Sequence, residues 1–103
     1  MSVISLNEEN FRTQVLESDC PVLVDFFATW CGPCRMMSPL VDKIAEEHPE
    51  YRVCKLDVDE QSALAQQYEV MSIPTLIAFR AGQPVARKVG VCSEAALLDM
   101  LGK

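Results

Sequence analysis

The sequence contains little glycine, little positive charge and no long apolar run. Its four glycines are Gly32, Gly82, Gly90 and Gly102. They lie too far apart to form the glycine-rich loop that holds nucleotide phosphates. Nine Lys and Arg residues against fifteen Asp and Glu residues give a net charge of −6, which argues against nucleic acid as a partner because phosphate binding needs a basic surface. No run has the length that crosses a bilayer, so we expect no membrane association.

The N-terminus has neither the basic start nor the apolar stretch of an export signal. Five cysteines are an odd count, which argues against a fully paired secreted framework and favours a compartment where thiols stay reduced. We therefore expect a cytoplasmic protein, unless a leader was removed. The 103 residues have the length of one domain, 1–103, and half of them are hydrophobic, so the chain can bury a core without disulfide staples.

Apolar periodicity predicts an α/β fold, in which four helices flank a mixed five-stranded sheet. The run Val22–Phe27 is continuously apolar except for one acid, which is typical of a central strand with both faces covered. The first three strands alternate with helices, so they are expected to be parallel. Residues 80–83 leave room only for an antiparallel hairpin between the last two. The predicted strands are 2–6, 22–27, 53–57, 75–79 and 84–89, and the predicted helices are 8–17, 34–47, 62–68 and 94–101.

Local signals mark the ends and faces of these helices. Asn7 and Ser93 are suited to cap the first and last helices because their side-chain oxygens can accept backbone N–H groups. Pro39 predicts a kink inside the second helix. One face of the last helix is expected to carry its apolar contacts: Ala95, Leu98 and Leu101.

Two cysteines stand three residues apart in Trp30-Cys31-Gly32-Pro33-Cys34, where the apolar strand meets the second helix. The unpaired N–H groups and the dipole at the start of a helix favour negative charge on a nearby sulfur. Cys31 is therefore predicted to ionise readily to a thiolate. Only the thiolate attacks disulfides, and a second thiol can expel the bound partner by closing a small ring. We interpret the pair as a dithiol that cycles with a disulfide. Cys31, predicted to be the more exposed, is the nucleophile, and Cys34 is the resolving thiol.

A metal site or an inert disulfide is the alternative interpretation of these cysteines. Cys31, Cys34, His48 and Cys54 have a spacing that resembles a four-ligand zinc site. However, Cys54 lies in the middle of a predicted strand, and small zinc domains are poor in core residues. A C-x-x-C pair beside a βαβ pattern favours redox chemistry. His48 is better explained as the solvated end of a helix.

Further landmarks accompany the cysteine pair along nearly the whole chain. They are Val24-Asp25-Phe26, Trp30-Cys31-Gly32-Pro33-Cys34-Arg35, Pro39, Lys55-Leu56-Asp57-Val58-Asp59, Ile73-Pro74-Thr75 and Val89-Gly90. With these landmarks the chain resembles the thioredoxin family, and the resemblance implies the thioredoxin fold. The chain departs from the family pattern at Phe27, where many members have a tryptophan.

Asp25 interrupts the apolar strand six residues before Cys31, and burial there is predicted to raise the pKa of its carboxyl. Buried acids are also commonly satisfied by local hydrogen bonds. The resemblance implies instead that Asp25 accepts the proton of Cys34 through water, with Lys55 close by. A base is needed because the buried thiol must become a thiolate before it attacks.

The resemblance also implies a shallow apolar groove that binds substrate. In the family, the peptide bond that corresponds to Ile73-Pro74 is cis and packs against the two cysteines, although most X–Pro bonds are trans. Each apolar member could instead be a core residue or an isolated surface residue. The implied groove residues are Trp30, Gly32, Pro33, Ile73, Pro74, Gly90 and Val91.

Three cysteines lie outside the motif. Cys20 and Cys54 are expected to be inert. Cys92 follows Gly90-Val91 and is expected at the rim of the groove, where its oxidation would block docking.

These observations predict a monomeric thiol–disulfide oxidoreductase that reduces disulfides in client proteins and holds no cofactor. The resemblance implies that a thioredoxin reductase supplies its electrons from NADPH. Two alternatives stay open at this point. One is the same chemistry run as an oxidant or isomerase, which the reduction potential would distinguish. The other is a regulatory subunit that binds a partner through the groove without turnover.

Overall fold

The structure is a computed structural model that describes residues 2–102, so Met1 and Lys103 of the predicted domain lie outside the described residues. No helix within this range is both long and apolar enough to cross a membrane. The strands are β1 (Ile4–Ser5), β2 (Val22–Phe27), β3 (Arg52–Asp57), β4 (Thr75–Arg80) and β5 (Gln83–Val89). The helices are a π-helix (Arg12–Leu16), α1 (Gly32–Glu47), α2 (Ser62–Gln67) and α3 (Glu94–Leu101).

The strands form one mixed sheet in the order β1-β3-β2-β4-β5. β1 pairs parallel with β3, and β3 pairs parallel with β2, as the alternation of strands and helices predicts. β4 pairs antiparallel with both β2 and β5, which confirms the hairpin. The predicted fold class is therefore confirmed.

β2 lies at the centre of the sheet and is covered on both faces. Val22, Val24 and Phe26 belong to the core cluster on one face, and Leu23 belongs to the cluster on the other. Because side chains alternate along a strand, Asp25 points to the same face as Leu23, which α1 and α3 cover. Because neither face of β2 contacts solvent, its sequence does not alternate between apolar and polar residues.

The first helix differs from its prediction. Residues 8–17 were expected to form an α-helix, but the structure has only the short π-helix, in which the Glu17 N–H donates to the Arg12 carbonyl at 2.9 Å. The prediction that Asn7 caps this helix is wrong, because Phe11 holds the N-cap position and no side chain caps the helix. Asn7 Oδ1 instead accepts the Asn10 N–H at 2.8 Å. The Asn7 N–H donates in return to Asn10 Oδ1, also at 2.8 Å. These reciprocal bonds close a turn over residues 7–10, and the π-helix begins at Arg12.

α3 has the predicted bounds and the predicted cap, and its buried face agrees in part with the predicted one. Ser93 Oγ accepts the Ala96 N–H at 3.1 Å. Leu101 is buried and Leu98 packs partly buried against the core, as predicted, whereas Ala95 is exposed. The other two buried residues, Leu97 and Met100, were not predicted. Several stripes of an apolar helix fit the helical period, and only packing against the sheet selects one of them.

A two-residue turn joins β4 to β5. Ala81 and Gly82 have φ angles of 52° and 78°, the left-handed values of a tight hairpin turn. A Cβ on Gly82 would lie 2.8 Å from the Leu16 carbonyl oxygen. We therefore expect Gly82→Ala to lower the free energy of unfolding by about 1–3 kcal/mol, as measured by urea denaturation. Gly102→Ala is the matched control because its Cβ would meet only ordinary contacts at 3.6 Å. Equal losses in the two variants would contradict this explanation.

Candidate functional site

Cys31 and Cys34 form a disulfide where β2 leads into α1, with their Cα atoms 5.3 Å apart. The helix begins at Gly32, two residues before its predicted start, and Cys31 is its N-cap. The Cys34 N–H donates to Cys31 Sγ at 3.2 Å, so a donor of the first helical turn does point at this sulfur. Pro33 lies in the same turn, where its missing N–H costs no hydrogen bond.

The two cysteines are equally buried, with 4% of each residue exposed. The prediction that Cys31 is the more exposed is therefore wrong. What distinguishes them is their surroundings: Cys31 lines a groove on the surface, and Cys34 lines a separate cavity. Sequence reasoning missed this division because it depends on residues from other elements.

The groove beside Cys31, here called the front groove, has a volume of about 480 Å³. The Ile73 carbonyl lies 3.9 Å from Cys31 Sγ and connects the groove to the sulfur. Four of the seven predicted groove residues line it, namely Trp30, Gly32, Pro33 and Ile73. The lining residues that the sequence analysis missed are Val58, Val70, Met71 and Ser72. Three of these directly precede Ile73 in the chain, and this adjacency to a predicted groove residue could have identified them.

The other three predicted groove residues lie outside this lining. The Ile73–Pro74 peptide bond is cis, as the resemblance implies, and Pro74 itself is buried. The Gly90 N–H donates to the Pro74 carbonyl at 2.8 Å, which brings Gly90 next to this bond. Val91 is half exposed beside it. A role for these three residues in binding stays a prediction.

Trp30 and Met71 are the exposed large hydrophobic residues of the front groove, with 67% and 94% of the two residues exposed. The indole N–H of Trp30 donates to Asp59 Oδ2 at 2.8 Å. Asp57 Oδ1 in turn accepts the Asp59 N–H at 2.9 Å. Asp59 therefore holds the indole in place, and no sequence pattern predicted this contact.

The cavity beside Cys34, here called the rear cavity, has a volume of about 230 Å³. It joins three predicted site residues, since Asp25 and Lys55 line it together with Cys34. Asp25 and Lys55 are register partners on the parallel strands β2 and β3. The complete lining is Asp25, Phe27, Ala28, Thr29, Cys34, Arg35, Ser38 and Lys55.

Asp25 is a buried carboxyl in an unfavourable environment. It is 5% exposed, and its Oδ1 has no hydrogen-bond donor within residues 2–102. Burial raises the pKa of Asp25 from its ordinary 3.8 to about 7, with Lys55 opposing the shift and Asp42 adding to it. Lys55 makes no ion pair with this carboxylate in the described part of the chain, and its Nζ lies 5.9 Å from the centre of the Phe27 ring.

The alternative zinc ligands do not converge. Within residues 2–102, the one group of side chains placed to hold a metal ion is Glu47, His48 and Glu94, and it contains no cysteine. His48 is the C-cap of α1, as predicted, and its ring contacts Glu50 Oε2 at 3.0 Å. Cys54 lies within β3, paired with neighbours on both sides. The predicted alternative of a four-ligand cysteine site is therefore excluded.

The remaining cysteines are shielded to different degrees. Cys54 is fully buried, which raises the pKa of its thiol to about 12. Cys20 is half-buried and lies 3.4 Å from the Ser18 hydroxyl. Cys92 does not line the front groove; it packs against the core beneath α1, and its N–H donates to Met37 Sδ at 3.5 Å.

We expect iodoacetamide to label Cys31 of the reduced native protein first near neutral pH and Cys54 last. The helix start stabilises the thiolate of Cys31, whereas Cys54 is buried and stays protonated. Peptide mass spectrometry over a time course measures the order. Labelling in guanidinium chloride is the control, because unfolding should make all five cysteines react. Native labelling of Cys54 as fast as Cys31 would contradict the assignment.

Comparisons with known proteins extend over nearly the whole chain. The family model described as Thioredoxin matches residues 2–103. A thioredoxin of Mycobacterium tuberculosis is 51% identical over 101 residues, which cover 97% of this chain and 87% of that protein. A bifunctional thioredoxin reductase/thioredoxin of Mycobacterium leprae is 50% identical over 96 residues, covering 92% of this chain and 21% of that protein. A solved structure of a mutant thioredoxin from Halobacterium salinarum matches with a TM-score of 0.89 and 39% identity, covering 97% of this chain and 88% of the other.

Proposed function

The chain belongs to the thioredoxin family and is a thiol–disulfide oxidoreductase, and on that premise we propose that it reduces disulfides in client proteins through Cys31 and Cys34. The observation that carries the proposal is the position of Cys31. Its sulfur caps α1 and accepts the Cys34 N–H, and it opens onto an apolar groove where a client can lie. A nucleophile for disulfides needs both a stabilised thiolate and access.

In the proposed cycle, the Cys31 thiolate attacks one sulfur of a client disulfide, and the other client sulfur leaves as a thiolate. A mixed disulfide now joins Cys31 to the client. Cys34 loses its proton, and its thiolate attacks Cys31 Sγ, which releases the second client thiolate and closes the Cys31–Cys34 disulfide. Two electrons have passed from the protein to the client.

Asp25 is the proposed proton acceptor for Cys34. Both residues line the rear cavity, and a carboxyl whose pKa is near 7 can gain and lose a proton under ordinary conditions. Lys55 shares the cavity and opposes the rise of that pKa, so it favours the carboxylate that acts as the base. The raised pKa and the shared cavity support the assignment.

The front groove is the proposed docking surface for the client segment around the attacked disulfide. Trp30, Gly32, Pro33 and Ile73 surround Cys31 there, and the large exposed apolar area of Trp30 and Met71 is suited to binding. Pro74, Gly90 and Val91 are proposed to extend this surface beside the cis peptide bond.

An NADPH-dependent thioredoxin reductase is the proposed electron donor. The bifunctional relative from Mycobacterium leprae combines a reductase and a thioredoxin in one protein, which supports this pairing. The protein itself is proposed to work as a monomer in the cytoplasm without a resident cofactor.

A coupled assay tests the proposal. Insulin, NADPH and a thioredoxin reductase are mixed with the protein, and NADPH oxidation is followed at 340 nm. We expect turnover that depends on the protein and is absent in the double variant Cys31→Ser, Cys34→Ser. Equal turnover in the double variant and the wild type would reject the mechanism.

A further inference from the structure

The front groove contains two sulfur side chains that differ in exposure. Among the described residues that line it, Cys31 and Met71 are the two with sulfur. Cys31 is 4% exposed, whereas Met71 is 94% exposed. The sequence analysis expected the oxidation-sensitive sulfur of this groove to be Cys92, which does not line it. The sulfur residue that solvent reaches most readily in the groove is therefore Met71.

The backbone on both sides of Met71 is anchored, so its exposure is not that of a frayed loop. Val70, the residue before it, donates its N–H to the Ala65 carbonyl of α2 at 2.9 Å. The carbonyl of Ser72, the residue after it, accepts the hydroxyl of Thr75 in β4 at 2.6 Å. The thioether of Met71 is therefore presented to solvent from a fixed position in the lining of the groove.

The other methionines of the described chain are either protected or remote from the groove. Oxidation by peroxide follows the exposure of the sulfur. Met37 and Met100 lie in the core, with 0% and 2% of the two residues exposed. Met36 is 65% exposed on α1, but it lines neither the front groove nor the rear cavity. Within residues 2–102, Met71 is therefore the one exposed methionine whose oxidation changes the front groove.

A sulfoxide at this position changes the groove from adaptable and apolar to polar. A thioether is flexible and apolar, and it suits surfaces that bind varied partners. The oxygen of a sulfoxide is hydrated, and a client that covers it must displace that water. The indole N–H of Trp30 is a donor of this groove, but it is engaged by Asp59 Oδ2 at 2.8 Å. Oxidation therefore weakens the binding of an apolar client segment.

We propose that Met71 is a peroxide-sensitive modification site that controls the docking of client proteins in the front groove. The inference rests on the proposed function. Hydrogen peroxide transfers one oxygen atom to the Met71 thioether: the O–O bond breaks, an S–O bond forms, and water leaves. The sulfur is oxidised by two electrons to the sulfoxide, and the peroxide is reduced. No bond of Cys31 or Cys34 changes, so the modified protein keeps its dithiol chemistry and binds clients more weakly.

The disulfide form of the protein allows a clean modification, because its Cys31–Cys34 bond protects both thiols from peroxide. The protein is treated with hydrogen peroxide, catalase removes the excess, and peptide mass spectrometry measures the added oxygen at each methionine. Dithiothreitol then reduces the disulfide and is removed. The dithiol protein is mixed with excess insulin, and acid quenching followed by alkylation and mass spectrometry gives the rate of a single turnover. No reductase is present, so its own docking does not enter the measurement.

We expect peroxide treatment to raise the half-saturating insulin concentration of the wild type about tenfold and to leave the limiting rate unchanged. Burying a polar group without a partner costs about this factor in affinity. Methionine sulfoxide reductases of both epimer specificities, supplied with dithiothreitol, should reverse the rise. The rate with bis(hydroxyethyl) disulfide, which offers the groove no polypeptide segment, should be the same before and after treatment.

Each variant is compared with itself before treatment. Met71→Leu has no sulfur at this position, so peroxide should leave its half-saturating insulin concentration unchanged. Met36→Leu is the matched control, because it removes the other exposed methionine of the described chain and should show the same rise as the wild type. Oxidation of Cys20 or Cys92 would affect Met71→Leu and the wild type equally, so the difference between them reports Met71.

Three results would overturn the inference. Met71 could stay unmodified while Met36 is oxidised, the wild type with Met71 sulfoxide could keep its half-saturating insulin concentration, or Met71→Leu could lose as much affinity on treatment as the wild type. If the untreated wild type does not reduce insulin, the proposed function fails. If the untreated wild type reduces insulin and the sulfoxide has no effect, only the role of Met71 fails.

Discussion

Cys31→Ser is expected to lower insulin reduction to the uncatalysed background. A serine hydroxyl stays protonated at neutral pH and cannot form the mixed disulfide, so no electron pair can leave the protein. Cys34→Ser is expected to behave differently, because the attacking thiol remains and only the resolving thiol is lost. The client should then stay covalently attached to Cys31. Intact-protein mass spectrometry measures this adduct, and the coupled assay measures the turnover.

The asymmetry between the two single variants is the decisive feature of this experiment. Cys20→Ser is the matched control, because Cys20 is a half-buried cysteine that lines neither the front groove nor the rear cavity. It should keep the wild-type rate. An adduct that accumulates on Cys34 in Cys31→Ser would show that the roles of the two thiols are reversed.

Asp25→Asn is expected to stabilise the protein above pH 7. Burial raises the pKa of the Asp25 carboxyl from 3.8 to about 7, so between these pH values the folded protein keeps a proton that the unfolded chain has lost. The stability of the wild type therefore falls as the pH rises through this window and levels off above it. A shift of about three pKa units corresponds to about 4 kcal/mol. Asparagine does not ionise, so the variant escapes this loss.

Urea denaturation from about pH 4 to pH 8 measures the effect as the difference between the two stability curves. Glu46→Gln is the control, because it removes an exposed carboxylate from α1 and should leave the pH dependence unchanged. Asp25→Asn also tests catalysis: without the proton acceptor, the attack of Cys34 on the mixed disulfide should be about a hundredfold slower. If the stability of Asp25→Asn falls with pH as steeply as that of the wild type, the raised pKa does not belong to Asp25.

Local sequence patterns predict much of the fold. β2 was recognisable as a central strand because it is apolar at nearly every position, and the hairpin was recognisable because its connection is too short for a crossover. The predicted α-helix over 8–17 is wrong, because residues 8–10 form a turn and only a short π-helix follows. The predicted face of α3 is correct only in part, because helical periodicity does not determine which apolar stripe of the helix packs on the sheet.

The sequence alone determined the chemistry, since two thiols at a strand-to-helix junction have a stabilised thiolate and a partner within reach of a disulfide. Only the tertiary structure decided how the surroundings divide between them. Val70 and Met71 reach the front groove from the chain before β4, and Lys55 meets Asp25 across two parallel strands. Cavities are formed by residues that are distant in the chain, so no local pattern encodes them, whereas a helix start and its capping sulfur are neighbours and are encoded directly.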